Sequence, residues 1–322
     1  MGDKHMDVSA CVHCHKCRKQ CSFLEKYQID IGDTEELNKL AYHCFLCGKC
    51  TAICPRGIDG KDYILELRRK RAEEAGKLPK REGYGMLLAE KRNYLFRNYR
   101  HALPGSVLFP GCNFPSFYPK TARRLVKLMV ENGIGTAYDC CGKPVAELGL
   151  LRQEKQIVSR INEELRKREI TEVIMVCPNC YEFLKDRLSV RVISIYDKLS
   201  ELEIGEKLAG GGQIFLPCPD WRDRKWLGQI EGFTEIPFSP VPGLQCCGLG
   251  GSGAVKEPEL AGKMADKIEK EETVFVYCAS CGGNLARNGC RDVRHVLAEI
   301  LGTGERPDTG KSVLNRAITK FI

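Results

Sequence analysis

Apolar positions recur along this chain with two alternating periods. Val107-Leu108-Phe109 is a short apolar run that predicts a buried strand ending at Cys112. Ala122, Leu125, Val126, Met129 and Val130 then share one helical face, and Ile157, Ile161 and Leu165 share another. Glu172-Val173-Ile174-Met175-Val176 predicts a second strand, running into Cys177. The plan then repeats. Ile214-Phe215-Leu216 precedes Cys218, Leu260, Met264 and Ile268 mark a helix, and Thr273-Val274-Phe275-Val276-Tyr277 runs into Cys278. Upstream the period is helical only: Leu37, Leu40 and Ala41 predict helix within residues 22–43. Tyr63, Ile64 and Leu67 predict another helix, interrupted at Gly76 and Pro79.

The repetition extends to the cysteines. Cys140-Cys141-Gly142 and Cys246-Cys247-Gly248 each follow a lone cysteine, Cys112 or Cys218, with 27 residues between. Each copy closes with a C-x-x-C, Cys177 to Cys180 and Cys278 to Cys281. The copies are offset by 106 residues through the CCG and by 101 from the C-x-x-C onward, and Ile195–Leu199 aligns with Val296–Ile300. This is a duplication. Each copy holds five thiols, one more than a structural zinc or an ordinary cubane takes. In open α/β sheets ligands gather beyond the carboxyl ends of strands, where Cys112, Cys177, Cys218 and Cys278 are expected. The CCG adds two thiols from one turn, its glycine permitting a positive φ.

The first 60 residues have a different cysteine register. Cys11, Cys14, Cys17 and Cys21, then Cys44, Cys47, Cys50 and Cys54 followed by Pro55, both read C-x2-C-x2-C-x3-C. That spacing is the bacterial ferredoxin pattern, in which the fourth cysteine serves the other cluster. One cubane [4Fe-4S] cluster is therefore expected on Cys11, Cys14, Cys17 and Cys54. A second is expected on Cys44, Cys47, Cys50 and Cys21. His13 and His15 sit inside a complete quartet and read as solvated neighbours. Cys290 reads as a buried thiol outside the sets, and His295 as a packed or hydrogen-bonded histidine.

Nineteen cysteines in 322 residues, with C-x-x-C spacing and no apolar leader, point to metal in a reducing cytoplasm rather than to disulfides. No apolar run reaches the length of a membrane span, so a soluble protein is expected, cytoplasmic or peripheral to a membrane complex. The net charge is +8. A thiolate-held cubane carries about −2, so the clusters would offset much of this excess. Residues 61–100 hold twelve basic and six acidic residues. They read as a connector with a solvated basic face, or as a docking surface for an acidic redox partner. No recognition module accompanies that charge, which argues against nucleic acid. Gly248-Leu249-Gly250-Gly251-Ser252-Gly253 matches G-x-G-x-x-G, but the preceding Ser239–Gln245 stretch, with Pro240 and Pro242, cannot form a central strand. A glycine loop offering N–H groups to cluster sulfurs is expected there. No flavin or nicotinamide site is expected in this chain.

Two repeats of C…CCG…C-x-x-C behind a two-cubane segment resemble the heterodisulfide reductase catalytic subunits, in the fused order with the ferredoxin part first. The resemblance implies an α+β multidomain fold. A mainly α-helical ferredoxin-type domain, residues 1–60, and a basic connector, 61–103, would precede two duplicated α/β, Rossmann-like CCG domains at 104–208 and 209–322. It implies that each five-cysteine set binds a noncubane [4Fe-4S] cluster, one on Cys112, Cys140, Cys141, Cys177 and Cys180. The other set is Cys218, Cys246, Cys247, Cys278 and Cys281. Some relatives hold zinc in a CCG site. In the heterodisulfide reductase type the paired sites split a disulfide, so the implied activity is that of an oxidoreductase acting on a small disulfide or thiol. The alternative is an electron-transfer subunit of a flavin-linked dehydrogenase of the glycerol-3-phosphate, glycolate or lactate type. Either role implies a flavoprotein or other redox protein as partner.

Overall fold

The computed structural model describes residues 7–75 and 83–321. The interruption expected at Gly76 and Pro79 lies outside them. The chain divides into two compact units. The first takes Met1–Ala89, Pro144–Glu154 and Pro242–Lys267; the second takes Glu90–Lys143, Lys155–Val241 and Ile268–Ile322. The segment that follows the first CCG thus belongs to the first unit, and so does the segment that contains the second CCG.

The first unit is helical. Its core gathers Phe23, Leu24, Ile29, Ile31, Leu37, Ala41, Leu46, Ile58 and Ile64 around Cys17 and Cys21. The expected helix over 22–43 is broken into Ser22–Tyr27 and Thr34–Lys39, followed by a tight turn at Ala41–His43. Two local features explain the break. Gln28 closes the first helix in the left-handed region, at φ 55°, and the Asp33 carboxylate accepts the Asp30 amide at 2.6 Å. Glu257, only 1% exposed, ties the segment down. It accepts bonds from Lys26 at 2.6 Å and Tyr27 at 2.7 Å, and its other carboxylate contact is His43 Nδ1 at 2.6 Å.

Within the basic stretch, Arg68 departs from the expected solvated face. The helix Gly60–Glu74 opens on Asp59, whose carboxylate accepts the Asp62 amide at 3.0 Å, and it buries Ile64, Arg68 and Ala72 along one stripe. Arg68 is wholly buried. Its guanidinium donates to the carbonyl oxygens of Ala41 at 3.0 Å, Glu147 at 2.7 Å, Gly251 at 2.6 Å and Cys44 at 2.6 Å. The spacing of basic residues gave no warning of this, because a buried arginine and a solvated one look alike in sequence.

The second unit carries every strand among the described residues. In chain order these are β1 (Asn98–His101), β2 (Gly105–Phe109), β3 (Gly135–Tyr138), β4 (Ile170–Met175) and β5 (Arg191–Ser194). There follow β6 (Leu208–Gly210), β7 (Gln213–Phe215), β8 (Thr234–Ile236), β9 (Ser239–Pro240), β10 (Thr273–Val276) and β11 (Asp292–His295). One sheet has the order β1-β3-β2-β4-β5, the other β11-β10-β7-β9, and β6 pairs with β8 as a separate ribbon. Matching β2, β3, β4 and β5 to β7, β9, β10 and β11 gives the same parallel order twice. The duplication read from the cysteines is therefore also a duplication of topology, and the chain is a mixed α/β structure with two mainly parallel sheets, the first extended at its edge by β1, which runs antiparallel to β3. Pro240 pairs only at the edge, where a missing N–H costs no ladder bond.

Two helical stripes differ from expectation. On Pro119–Glu131 the buried face is Thr121, Ala122, Leu125 and Met129, while Val130 is 52% exposed. The helix starting at Pro258 ends at Lys263, so Met264 and Ile268 are buried from irregular chain beyond it. Among the described residues no helix is long and apolar enough to cross a membrane.

Arg68 supplies a direct test. Arg68→Met leaves four buried carbonyls without their donor, each worth about 1–3 kcal/mol when stranded. Anaerobic urea melts should show at least about 3 kcal/mol lost, with Arg68→Lys failing to restore it because an ammonium lacks the planar fork. Lys70→Ala, on the exposed side of the same helix, should stay within about 0.5 kcal/mol of wild type.

Candidate metal centres

Cys11, Cys14, Cys17 and Cys54 line one cavity of the first unit, together with His15, Asp30, Pro55 and Arg56. His13 and His15 both adopt positive φ, which curls the short loops so that successive thiols turn inward. Both histidines are exposed at the rim, yet they are not simply solvated. Their Nδ1 atoms lie 3.4 and 2.6 Å from the carboxylate of Asp30, which is itself 2% exposed. The Cys17 thiol lies 3.7 Å from the other Asp30 oxygen.

Cys21, Cys44, Cys47 and Cys50 form a second group whose thiols act on one another electrostatically. Burial pushes Cys44 up to about 11 and holds Cys21 and Cys50 well above the ordinary thiol range. Cys47 alone is drawn down, to about 6, because the Cys246 thiol hydrogen-bonds to it. Four enclosed thiols this close cannot all ionise unless a group of positive charge joins them. That donor set fits a thiolate-held cluster.

Cys246 reaches this group from the far end of the chain. Its sulfur also lies 3.1 Å from the Met264 sulfur, and its neighbour Gln245 places Nε2 3.4 Å from Cys21 Sγ and 3.8 Å from Cys47 Sγ. The glycine loop that follows lies on the backbone of Cys44 and Phe45. A Cβ at Gly251, whose φ is +60°, would stand 2.8 Å from the Cys44 carbonyl oxygen. Its amide donates to Glu147 Oε2 at 3.1 Å, and the Gly248 amide donates to Cys246 Sγ at 3.4 Å. The loop therefore gives one N–H to sulfur and one to a carboxylate.

In the second unit the first five-cysteine set converges at the carboxyl ends of neighbouring parallel strands. Cys112 follows β2, Cys140 and Cys141 follow β3, and Cys177 follows β4, with Cys180 on the helix Pro178–Leu184. Hydrogen bonds link Cys112 to Cys140, Cys140 to Cys141, Cys141 to Cys180 and Cys180 to Cys177. Cys141 is drawn down to about 5 by the bonds from Cys140 and Cys180. Its donors show the reverse: Cys180 is held high by the bonds to Cys141 and Cys177, and Cys140 rises to about 12 although Cys112 pulls it down. Gly142 turns at φ +88°, as the CCG pattern requires. Asp139, fully buried, fixes the turn by accepting the Cys140 amide at 2.7 Å, with Tyr99 at 3.1 Å and Arg160 at 3.3 Å on its carboxylate. Tyr94 packs on Cys112 and Cys140. Burial presses on the Lys91 ammonium, while Cys112, Cys140 and its ion-pair partner Glu90, 2.9 Å away, favour the charged form.

The second set is divided. Cys218, just past β7, belongs to the second unit with Cys278 and Cys281, whereas Cys246 and Cys247 belong to the first. Cys278 hydrogen-bonds both to Cys281 and to Cys177 of the first set. The Asn179 amide donates to Cys278 Sγ at 3.5 Å, and Asn113 donates to Ser280 at 2.7 Å. His295 is packed as expected, edge-on to Phe114 and Tyr118, with Nδ1 accepting the Leu297 amide at 3.2 Å. Cys290 is buried. Sequence reasoning passed over Arg68, Lys91, Asp139, Gln245 and Glu257. For Asp139 and Gln245 a signal existed, since each is the polar residue immediately before a CCG.

The cysteine-rich domain family CCG matches residues 106–185 and 222–286. A fumarate reductase (CoM/CoB) subunit of Methanothermobacter marburgensis is 24% identical over 89% of this chain and 70% of its own length. A dihydromethanophenazine:CoB–CoM heterodisulfide reductase subunit of Methanosarcina mazei is 23% identical over 85% of this chain and 81% of its own. Lactate utilization protein A of an Exiguobacterium species is 24% identical, over 63% of this chain and 98% of its own length. With two CCG matches and relatives of this kind, the chain is a heterodisulfide reductase-like iron–sulfur protein, similar to oxidoreductase subunits.

Proposed function

We propose that the chain reduces a small disulfide, taking electrons at a ferredoxin-type segment, residues 1–60, and using them at paired CCG sites carried by residues 104–208 and 209–322. Residues 61–103 join the two parts. The observation that carries this reading is the Asn179 amide donating to Cys278 Sγ at 3.5 Å. Asn179 lies inside the first C-x-x-C motif and Cys278 opens the second, one from each set. The two C-x-x-C motifs thus meet, which suits a reaction that must deal with two sulfur atoms at once.

When bound, cubane clusters on Cys11, Cys14, Cys17 and Cys54 and on Cys44, Cys47, Cys50 and Cys21 supply one-electron storage, and noncubane clusters on the two five-cysteine sets supply a place for sulfur. The protein's own residues do the rest. Tyr94 covers Cys112 and Cys140 with an aromatic face, and the Lys91 ammonium supplies a fixed positive charge beside them. Such a charge favours each added electron and a departing thiolate alike. Asp139 holds the first CCG turn in place, and the Asn113–Ser280 and Asn179–Cys278 bonds tie the two C-x-x-C segments together.

A second reading is favoured by the lactate-utilization relative, 98% of whose length this chain matches. In it the chain carries electrons for a flavoprotein partner and cleaves no disulfide itself.

Metal content tests the cluster assignment. Anaerobically prepared protein should hold about sixteen irons per chain. About eight irons, with zinc making up the remainder, would overturn the doubled noncubane assignment. Turnover separates the two functions. Cys141→Ser and Cys247→Ser should each cut disulfide reduction by an artificial one-electron donor more than about 100-fold, beyond the loss from an outer-shell change. Both variants should keep reducible cubanes by EPR, whose ligands lie within residues 11–54. Near-normal turnover in either variant would leave the electron-carrier reading standing alone.

A further inference from the structure

Gln245 occupies an unusual position. It immediately precedes the second CCG, yet its side chain serves the second ferredoxin quartet. Its Oε1 accepts the Ser22 amide at 2.7 Å and the Ser22 hydroxyl at 2.8 Å. A backbone N–H can only donate, so the amide oxygen must face Ser22 and the NH2 group must face the other way. On that side lie Cys21 Sγ at 3.4 Å and Cys47 Sγ at 3.8 Å. Two hydrogens meet two sulfurs, and both sulfurs belong to the same proposed cubane.

The first copy provides an internal comparison. Asp139 stands at the matching place before Cys140, and its carboxylate is used to accept the Cys140 amide at 2.7 Å. A carboxylate could not do what Gln245 does, because an ionised one has no hydrogen to donate. The position is thus used to hold a turn in one copy and to donate to ligand sulfur in the other. The neighbouring Cys246, hydrogen-bonded to Cys47, adds a sulfur contact between the second CCG and the same quartet.

We propose that Gln245 is a positioning residue that sets the reduction potential of the cluster on Cys21, Cys44, Cys47 and Cys50 through two N–H···S bonds. The inference rests on the cubane assignment proposed above. Hydrogen bonds to ligand sulfur withdraw negative charge and so favour the reduced, more negative state of a cluster. Gln245 therefore raises the potential of this centre relative to the one on Cys11, Cys14, Cys17 and Cys54. The centre in sulfur contact with Cys246 becomes a better electron acceptor than it would be without Gln245, which favours passage of electrons toward the CCG end.

The experiment is an EPR-monitored redox titration of the anaerobically prepared full chain and two variants. Gln245→Leu removes both donors. At a fixed ambient potential it should lower the reduced-to-oxidised ratio of one cubane about tenfold, equivalent to about 59 mV for one electron. Gln245→Glu keeps the acceptor that Ser22 bonds while turning a negative charge toward the sulfurs, so its shift should be larger and in the same direction. A purely structural role would leave Gln245→Glu like wild type, and that outcome overturns the proposal. Cys14→Ser, made separately, marks the spectrum of the other cubane. If the centre that shifts in the Gln245 variants is the one Cys14→Ser alters, the assignment is overturned as well. Wild-type protein lacking two reducible cubanes would instead overturn the underlying cluster reading.

Discussion

The guanidinium of Arg68 holds together three stretches that are far apart in the chain. It binds the carbonyls of Ala41 and Cys44 beside the second ferredoxin motif, of Glu147 after the first CCG, and of Gly251 after the second. A planar cation with five donors can satisfy several acceptors at once, which no neutral side chain of this size can do. Burial works against the charged form, and the Cys44 thiol and Glu147 oppose that loss. The same charge pulls down on Cys44, whose thiol burial would otherwise raise further. One residue thereby serves packing and the electrostatics of the Cys44 thiol together. The glycines of the 248–253 loop follow from this arrangement, because the loop must lie against the Cys44 and Phe45 backbone for Arg68 to reach Gly251.

The two CCG turns show how a duplicated element diverges without losing its geometry. Gly142 and Gly248 share nearly the same φ, +88° and +85°, and each turn presents two adjacent thiols. Their surroundings differ. Tyr94, Lys91 and Asp139 enclose the first, all within the second unit, and the Cys112-to-Cys177 sulfur chain runs on to Cys278. The second has Met264 against Cys246, and Gln245 beside it reaches Cys21 and Cys47. What distinguishes the copies is therefore the shell around the thiols rather than their number or spacing.

Much of this was legible in the sequence because metal ligation leaves residue types and spacings that packing alone does not. Strand ends at Cys112, Cys177, Cys218 and Cys278 and the edge position of Pro240 follow from apolar runs and from the missing proline N–H. Other features have no local signature. Arg68 sits in a run of four basic residues and differs from Lys70 only by lying on the stripe with Ile64 and Ala72. The break at Gln28 depends on a left-handed residue that is not glycine, and the end of the Pro258 helix at Lys263 ignores an apolar period that continues to Ile268. The assignment of residues 242–267 to the first unit depends on contacts across some two hundred positions, such as Gln245 with Ser22 and Glu257 with Lys26. No periodicity encodes a partner that distant.

That assignment sets an order on biosynthesis. The helical unit begins at the start of the chain, but its last piece ends at Lys267. A ribosome adding about 5–20 residues per second needs on the order of ten seconds or more to travel from Ala89 to there. For most of that interval the N-terminal thiols have been made, while Gln245, the 248–253 loop and Glu257 have not. The nascent segment must wait with its cysteines uncovered, so oxygen and adventitious metals have their best access to it before translation ends.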